Sequence, residues 1–276
     1  QGFQADGLTY SPGTRVILTC QPYGAFAKTL LAPQAYPDLR GESDGAPKAP
    51  YDVTAHCLPI KMGVDVYEAK APFVAELKRL RKVKPPKGRV LVNGHSNIDA
   101  YLIRPETNAS IRAINKILDS GGRVSWAKEP ILTNGTHYPQ GTFVVQGDNG
   151  IDKIVKSIAT DLSVDFAAAS DIPATKSLDL NIPRIGVYKS YVPAVEEGWT
   201  RYVFDEYGFD YESISDGDMQ QGDLHQRFDA IVLPHQHTRH LHRGHSSSYY
   251  HPDYTGGIGD KGVEQLRAFV EDGGTL

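Results

Sequence analysis

The chain has 276 residues, of which 40% are hydrophobic, and a formal net charge of −4 at pH 7. Its length is enough for one large or two ordinary domains with a sizeable core. The slightly negative charge does not favour a nucleic-acid binder, and the basic run at 78–84 before Pro85 and Pro86 is typical of a solvated helix end beside a linker. No apolar run approaches the roughly 18 residues that a membrane-spanning helix needs.

The first residue and the two cysteines leave alternatives open. The chain begins at Gln1 rather than methionine, which fits a processed secreted protein or a fragment of a longer protein. Cys20 and Cys57 are compatible with one disulfide, which would contribute about 4 kcal/mol in the loop-entropy model, or with two buried free thiols. The sequons at Asn108 and Asn134 matter only in a eukaryotic secretory pathway.

Residues 1–62 are rich in proline, glycine and tyrosine and show no sustained helical period. We predict a strand at 15–19, a short helix within 22–31 and an exposed linker at 41–50. A segment of this composition has little from which to build a core of its own. We therefore expect it to lie extended, as a linker or strap over a neighbouring domain.

Helical and extended apolar patterns alternate between residues 63 and 172. The spacing predicts a helix over 66–81 and another over 109–118, which should end at the glycine pair that follows it. A third helical pattern begins at Ile151. Short apolar runs predict strands at 89–92, 100–103, 123–127, 142–146 and 164–168, with a turn at 93–97. This order predicts a small α/β domain over 63–172.

A second α/β pattern occupies residues 183–276, after a predicted linker at 173–183. Strands are predicted at 184–188, 211–214 and 229–233, and the last is an apolar run typical of a buried parallel strand. Helices are predicted between the first two strands and at 263–270. This alternation is typical of a doubly wound parallel sheet. Because the chain ends where the next strand would begin, we expect this domain to be incomplete.

The sequence lacks the motifs of enzymes that use such folds. The nucleophile elbow Gly-x-Ser-x-Gly does not occur, since the stretch around Ser96 lacks its second glycine. The two phosphate-binding glycine patterns are absent as well. Gly256, Gly257 and Gly259 precede a predicted helix and are candidates for close approach to a ligand, although a structural turn is the favoured interpretation.

Six of the ten histidines lie between residues 235 and 251. No His-Glu-x-x-His or His-x-x-Glu motif is present, but closely spaced histidine pairs could bind zinc, copper or nickel. The glycine and serines in this stretch instead favour a mobile polar loop without an ordered metal, at the carboxyl edge of the parallel sheet. The candidate metal ligands are His235, His237, His240, His242 and His245, with His251 or Asp253 completing the shell.

Several segments resemble the C-terminal region of bacterial-type zinc carboxypeptidases of the M14 family. PYDVTAHCLPIKMGV (50–64), CQPYGAF (20–26) and Tyr36-Pro37 are similar to the segment after the family's peptidase domain. PRIGVYKSYVPAVEEGWTR (183–201), YTGGIGDKG (254–262) and LRAFVEDGGTL (266–276) are similar to its class I glutamine-amidotransferase-like domain. The family's zinc ligands and catalytic residues belong to the peptidase domain, and no position of this chain matches them. The region that would hold an amidotransferase nucleophile lies past Leu276.

The resemblance implies the non-catalytic accessory C-terminal region of a secreted or periplasmic zinc metallocarboxypeptidase, with a truncated, flavodoxin-like parallel sheet at 183–276. It places zinc in the parent's peptidase domain and no cofactor in this chain. The implied partners are that peptidase domain and the parent's peptide substrate. The alternative is a stand-alone module that binds a sugar, a peptide or a metal in a crevice near Pro234 and Gly256. An independent hydrolase or amidotransferase is disfavoured, because the nucleophile is missing.

Overall fold

The computed structural model describes residues 1–33, 35, 37–49, 57–84, 86–92, 98–147, 150–170, 172 and 176–276. The chain divides into two compact units, Gln1–Pro85 and Pro86–Leu276. The turn predicted at 93–97 lies outside the described residues, as do residues 173–175 of the predicted linker and residues 50–56. No helix in the described ranges is long and apolar enough to cross a membrane.

The first unit contains a two-stranded hairpin and two short helices. The hairpin turns at Asp6 and Gly7, both at positive φ, and the ring of Phe3 stacks on Tyr10 with 4.9 Å between centroids and on Phe73 with 5.1 Å. The first helix confirms the one predicted within 22–31. The elements are β1 (Phe3–Ala5), β2 (Leu8–Tyr10), α1 (Gly24–Leu31) and α2 (Leu58–Met62).

Two elements predicted in this unit are wrong. Residues 15–19 form no strand, and residues 66–81 form no helix. Of the apolar positions that predicted this helix, Leu77 is 52% and Leu80 50% accessible to solvent, while Phe73 stacks on Phe3. A short amphipathic helix is stable only where its apolar face can pack, and this unit buries few of its described apolar side chains.

The two cysteines of this unit are free thiols, Cys20 exposed and Cys57 buried. The structure therefore agrees with the free-thiol alternative, except that one of the two thiols is exposed. That residues 1–62 act as a strap over another domain stays a prediction.

The second unit begins with a six-stranded mixed sheet in the order β10-β5-β8-β4-β9-β3. Only the pair β3 and β9 is parallel, and the other neighbours are antiparallel. The strands and helices predicted between 89 and 168 are confirmed to within a few residues. The elements are β3 (Val90–Val92), β4 (Ala100–Ile103), α3 (Asn108–Asp119), β5 (Val124–Ala127), β6 (Ile131–Thr133), β7 (Thr136–Tyr138), β8 (Phe143–Gln146), α4 (Ile151–Leu162), β9 (Phe166–Ala169) and β10 (Ser177–Leu180).

The two faces of this sheet are covered differently. α3 and α4 pack on one face, where Tyr101, Ile117, Val155 and Phe166 are among the buried residues of the core. The hairpin of β6 and β7 packs on the other face, where Ile131 joins a second apolar cluster. The sheet is therefore shielded on both sides, as its apolar strands require.

Three strands here were not predicted, namely β10 and the two strands of the β6–β7 hairpin. β10 lies within the linker predicted at 173–183, and that part of the prediction is wrong, because residues 177–180 pair antiparallel with β5 as an edge strand. The β6–β7 hairpin has a recognisable signal, since Asn134-Gly135 turns with both residues at positive φ. An Asn-Gly pair between short apolar runs is the strongest sequence indication of such a turn.

The second unit continues with a three-stranded, entirely parallel sheet in the order β12-β11-β13. The predicted strands, the helix before Gly208 and the last helix are confirmed, while three short helices were not predicted. The elements are β11 (Ile185–Tyr188), α5 (Val195–Tyr207), β12 (Tyr211–Ile214), α6 (Asp216–Gln221), α7 (Leu224–Arg227), β13 (Ala230–Val232), α8 (Thr238–Arg243) and α9 (Gly259–Glu271).

The core of this sheet lies on the face that carries α6, α7 and α9. Its buried residues include Tyr188, Ile214, Phe228 and Phe269. Gly186 lies in the middle of β11, where a Cβ atom would come within 2.9 Å of Cδ1 of Ile214. Glycine is therefore needed at this position for close packing rather than for backbone freedom.

Candidate functional site

The candidate site lies at the carboxyl edge of the three-stranded sheet. β11 is the central strand, so the chain runs from β11 to one side for β12 and then returns to the other side for β13. The loops after β11 and β13 diverge where the strand order reverses. In open α/β sheets, the crevice between two such loops is where ligands bind.

A cavity of about 300 Å³ opens at this edge. Its walls come from the loop after β11, the first turn of α5 and the loop after β13. Small-molecule sites have volumes of roughly 300–1,000 Å³, so this cavity suits a ligand at the small end of the range. It is lined by Tyr188, Lys189, Ser190, Tyr191, Pro193, Ala194, Glu197, Pro234 and Gln236.

Glu197 brings a carboxylate into the cavity from the first turn of α5. The residue is only 9% exposed, and its Oε1 lies 2.8 Å from Nε of Arg201, one turn further along the helix. Both of these atoms are buried, and neither has an aligned hydrogen bond within the described structure. The contact is therefore an ion pair with poor hydrogen-bond alignment, and the carboxylate keeps capacity to accept hydrogen bonds from a ligand.

Gln236 brings an amide to the opposite wall, two residues after the buried Pro234. Its Oε1 is buried and accepts no hydrogen bond from the described residues. Leaving such an acceptor unpaired costs about 1–3 kcal/mol. This oxygen and Glu197 Oε1 have almost no surface accessible to solvent, so the remaining atoms of the two side chains line the cavity.

Tyr188 connects the cavity to the core. Its buried phenol donates a hydrogen bond to Oδ1 of Asp216, at the start of α6. Burial and the adjacent carboxylate raise the pKa of Tyr188 well above its ordinary value, so the phenol remains a donor. Burial also raises the pKa of Asp216, whose Oδ2 has no hydrogen-bond partner among the described residues.

Tyr191 supplies an aromatic surface to the cavity. Its side chain is 44% exposed, and its ring meets that of Tyr254 edge to face, with centroids 5.3 Å apart and planes at 81°. Edge-to-face contacts are a favourable arrangement of two aromatic rings. The contact holds Tyr191 in place while part of its ring remains accessible.

The glycines singled out in the sequence lie beside α8 rather than in the cavity lining. Gly256 forms backbone bridges with Gly244 and His245. A Cβ atom on Gly257 would come within 2.4 Å of the carbonyl oxygen of Leu241. Gly259, at φ 61°, begins α9. Close backbone packing accounts for these glycines, in line with the structural-turn interpretation.

The histidine-rich stretch is not one continuous loop, because α8 occupies residues 238–243 within it. It does follow the carboxyl end of β13, and so begins at the carboxyl edge of the parallel sheet, as predicted. Nδ1 of His237 accepts a hydrogen bond from the backbone N–H of Arg239, 3.2 Å away, and the rings of His237 and His240 lie 5.8 Å apart.

The other candidate ligands have different neighbours. Nε2 of His242 lies 3.0 Å from Oδ1 of Asp260, the ring of His245 stacks on Tyr250 at 3.8 Å, and His235 is exposed. Across the described residues, no group of three or more His, Cys, Asp or Glu side chains is arranged to hold a metal ion.

Sequence reasoning does not single out the polar residues that face the cavity. Glu197 and Gln236 are separated by 39 positions in the sequence, and no motif links them. The sequence does contain one signal for the cavity. Two apolar strands are each followed by a polar loop, at 189–194 and 234–236. In a parallel sheet, such loops meet at one edge.

No family model, no curated protein and no solved structure matches the chain. Its function is therefore inferred from the geometry of the cavity and from the resemblance of the segments quoted above.

Proposed function

We propose that this chain is the non-catalytic accessory part of a secreted or periplasmic zinc carboxypeptidase of the M14 type, and that it binds a small polar ligand. The observation that carries the binding proposal is the cavity between the loops after β11 and β13. The sequence segments at 20–26, 50–64, 183–201 and 254–276 support the link to the carboxypeptidase family.

The topology supports a flavodoxin-like, class I glutamine-amidotransferase-like domain at 183–276. The observed order β12-β11-β13 corresponds to 2-1-3 in flavodoxin-like sheets, in which ligands bind between the first and third strands. Thr275 extends this order, because it forms a parallel bridge with Ala230 of β13. Its N–H donates to the carbonyl of Asp229 at 3.0 Å, and its carbonyl accepts from the N–H of Ile231 at 2.8 Å.

The chemistry of the cavity supports binding rather than catalysis. Its lining combines the paired carboxylate of Glu197, the amide of Gln236 and the ring of Tyr191. Covalent catalysis would need a nucleophile beside a base that activates it. Ser190 is the serine of the lining. Its Oγ accepts a hydrogen bond from the N–H of Val192 at 3.1 Å, and a backbone N–H cannot act as the activating base.

In this proposal the parent protein's peptidase domain carries the zinc and hydrolyses peptides at their C-termini. The chain would contact that domain and act on its peptide substrate only indirectly. Reading the gene upstream of Gln1 tests this part, because a peptidase domain must contain a His-x-x-Glu zinc pair. An upstream sequence without one would favour the stand-alone ligand-binding module.

Binding itself can be tested on the purified chain by two-dimensional ¹⁵N–¹H NMR. Neutral sugars, amino acids, short peptides and organic acids are added in turn. We expect at least one class to shift the amide signals of residues 188–192, 194–197, 235 and 236, and Gln236→Leu to abolish the shifts. Gln226→Leu, an exposed glutamine of α7 outside the cavity lining, is the matched control. If no class shifts these amides, the cavity is not a binding site.

A further inference from the structure

We infer that the ligand of this cavity is a neutral sugar ring, a monosaccharide or the terminal unit of a longer glycan, held against Tyr191. The inference rests on the proposed ligand binding and adds the chemical class of the ligand. Charge, hydrogen bonding and the aromatic surface of the cavity each point to this class.

The charges around the cavity favour a ligand without net charge. The lining contains one ammonium group, on Lys189, and one carboxylate, on Glu197. That carboxylate already has a counter-ion in Arg201, so it does not require a ligand cation. The first turn of the 13-residue helix α5 adds partial positive charge. A cation would be repelled by Lys189 and this helix end, and Glu196, an exposed carboxylate in the same helix turn, offsets the attraction of these groups for an anion.

The hydrogen-bonding groups of the cavity match hydroxyl groups. The Glu197 carboxylate accepts hydrogen bonds, Lys189 donates them, and Ser190 and the amide group of Gln236 can do both. Each sugar hydroxyl donates one hydrogen bond and accepts others, so adjacent hydroxyls can serve both kinds of group.

The Tyr191 ring matches the remaining surface of a sugar. A pyranose has one face of C–H groups, and burying that face against an aromatic ring removes apolar area from water. The Tyr254 ring, 5.3 Å away, fixes Tyr191 before a ligand arrives. This reduces the side-chain entropy lost on binding. The volume of about 300 Å³ suits one sugar unit rather than several.

The test is isothermal titration calorimetry of the whole chain with glucose, galactose, mannose and N-acetylglucosamine. Glucosamine and gluconate serve as cationic and anionic comparators of the same size. We expect at least one neutral sugar to bind more tightly than both charged comparators. Tyr191→Ala and Gln236→Leu should each weaken its binding at least tenfold. Tyr249→Ala, a highly exposed tyrosine outside the lining, should leave the affinity unchanged.

The possible outcomes separate the inference from the proposed function. If no neutral sugar binds, but the NMR titration shows amino acids or the charged comparators binding at residues 188–197, the sugar inference is overturned and the cavity remains a ligand site. No binding of any small molecule would overturn both. A sugar that binds equally well to the Tyr191→Ala variant would overturn the inference too. If that variant does not fold, Tyr191→Leu removes the aromatic ring but keeps apolar bulk, and it should weaken binding in the same way.

Discussion

The buried phenol of Tyr188 donates its hydrogen bond to a carboxylate, Asp216, that is itself almost fully buried. The contact joins the end of β11 to the start of α6, so it ties the cavity edge to the core. Only one oxygen of Asp216 is paired in this way, and the other has no partner among the described residues. A buried carboxylate with one unpaired oxygen makes stability depend on pH.

Asp216→Asn should stabilise the protein more at pH 7 than at pH 4, relative to the unchanged protein. Burial raises the pKa of Asp216 above its ordinary value, so the folded state holds this proton more tightly than the unfolded state does. Its contribution to stability is present below the unfolded pKa and is lost as the pH rises through the folded pKa. Asparagine cannot ionise and can still accept from Tyr188. Urea unfolding of both proteins at both pH values measures the difference. A larger stabilisation at pH 4 than at pH 7 would contradict the raised pKa of Asp216.

Tyr188→Phe should lower the free energy of unfolding by about 1–3 kcal/mol, because it leaves both oxygens of Asp216 without a donor. The change removes a single hydroxyl and opens little space in the core. Tyr202→Phe on the exposed side of α5 is the matched control and should change stability by less than about 0.5 kcal/mol. Equal effects of the two changes would mean that the Tyr188 contact contributes nothing.

Two Gly→Ala changes should have opposite effects. Gly186→Ala places a Cβ 2.9 Å from Cδ1 of Ile214 and should destabilise the protein by about 1–3 kcal/mol through overpacking. Gly198→Ala in α5 meets nothing within 4 Å and should stabilise by about 0.5–1 kcal/mol, because alanine favours helix. Thermal unfolding of both variants measures the difference. A neutral Gly186→Ala would show that the side chains of Ile214 and Phe228 can shift to make room.

The histidine-rich stretch should hold no ordered metal in the native protein. Ni²⁺ or Cu²⁺ added in vitro should bind weakly, because several imidazoles lie close together. Metal analysis of protein purified without an affinity column checks this expectation. Near-stoichiometric zinc or copper that disappears from a His237→Ala, His240→Ala double variant would show that these two histidines form a site.

The chain by itself should release no C-terminal residues from peptides, with or without added zinc, because it contains no His-x-x-Glu pair. The assay uses peptides that end in basic, aromatic and acidic residues. A catalytically active M14 carboxypeptidase serves as the positive control. Release above background that depends on zinc would contradict the accessory role.

The sequence by itself determined the elements whose apolar residues repeat regularly. α3, α4 and the strands at 100–103 and 185–188 follow from local spacing, and the glycine stops follow from backbone geometry. Local patterns failed where a neighbour decides the structure. Leu77 and Leu80 of the 66–81 pattern remain half exposed, and residues 177–180 become a strand because β5 offers a free edge.

The residues that line the cavity come together only in the tertiary structure. Parallel pairing of β11 with β13 brings Glu197 and Gln236 to the same space, although 39 positions separate them in the sequence. Neither residue has a local pattern that marks it, since a glutamate in a first helical turn and a glutamine in a polar loop are ordinary. Their significance comes from burial without an aligned hydrogen bond. Burial of that kind depends on how distant segments pack, which a local sequence pattern does not encode.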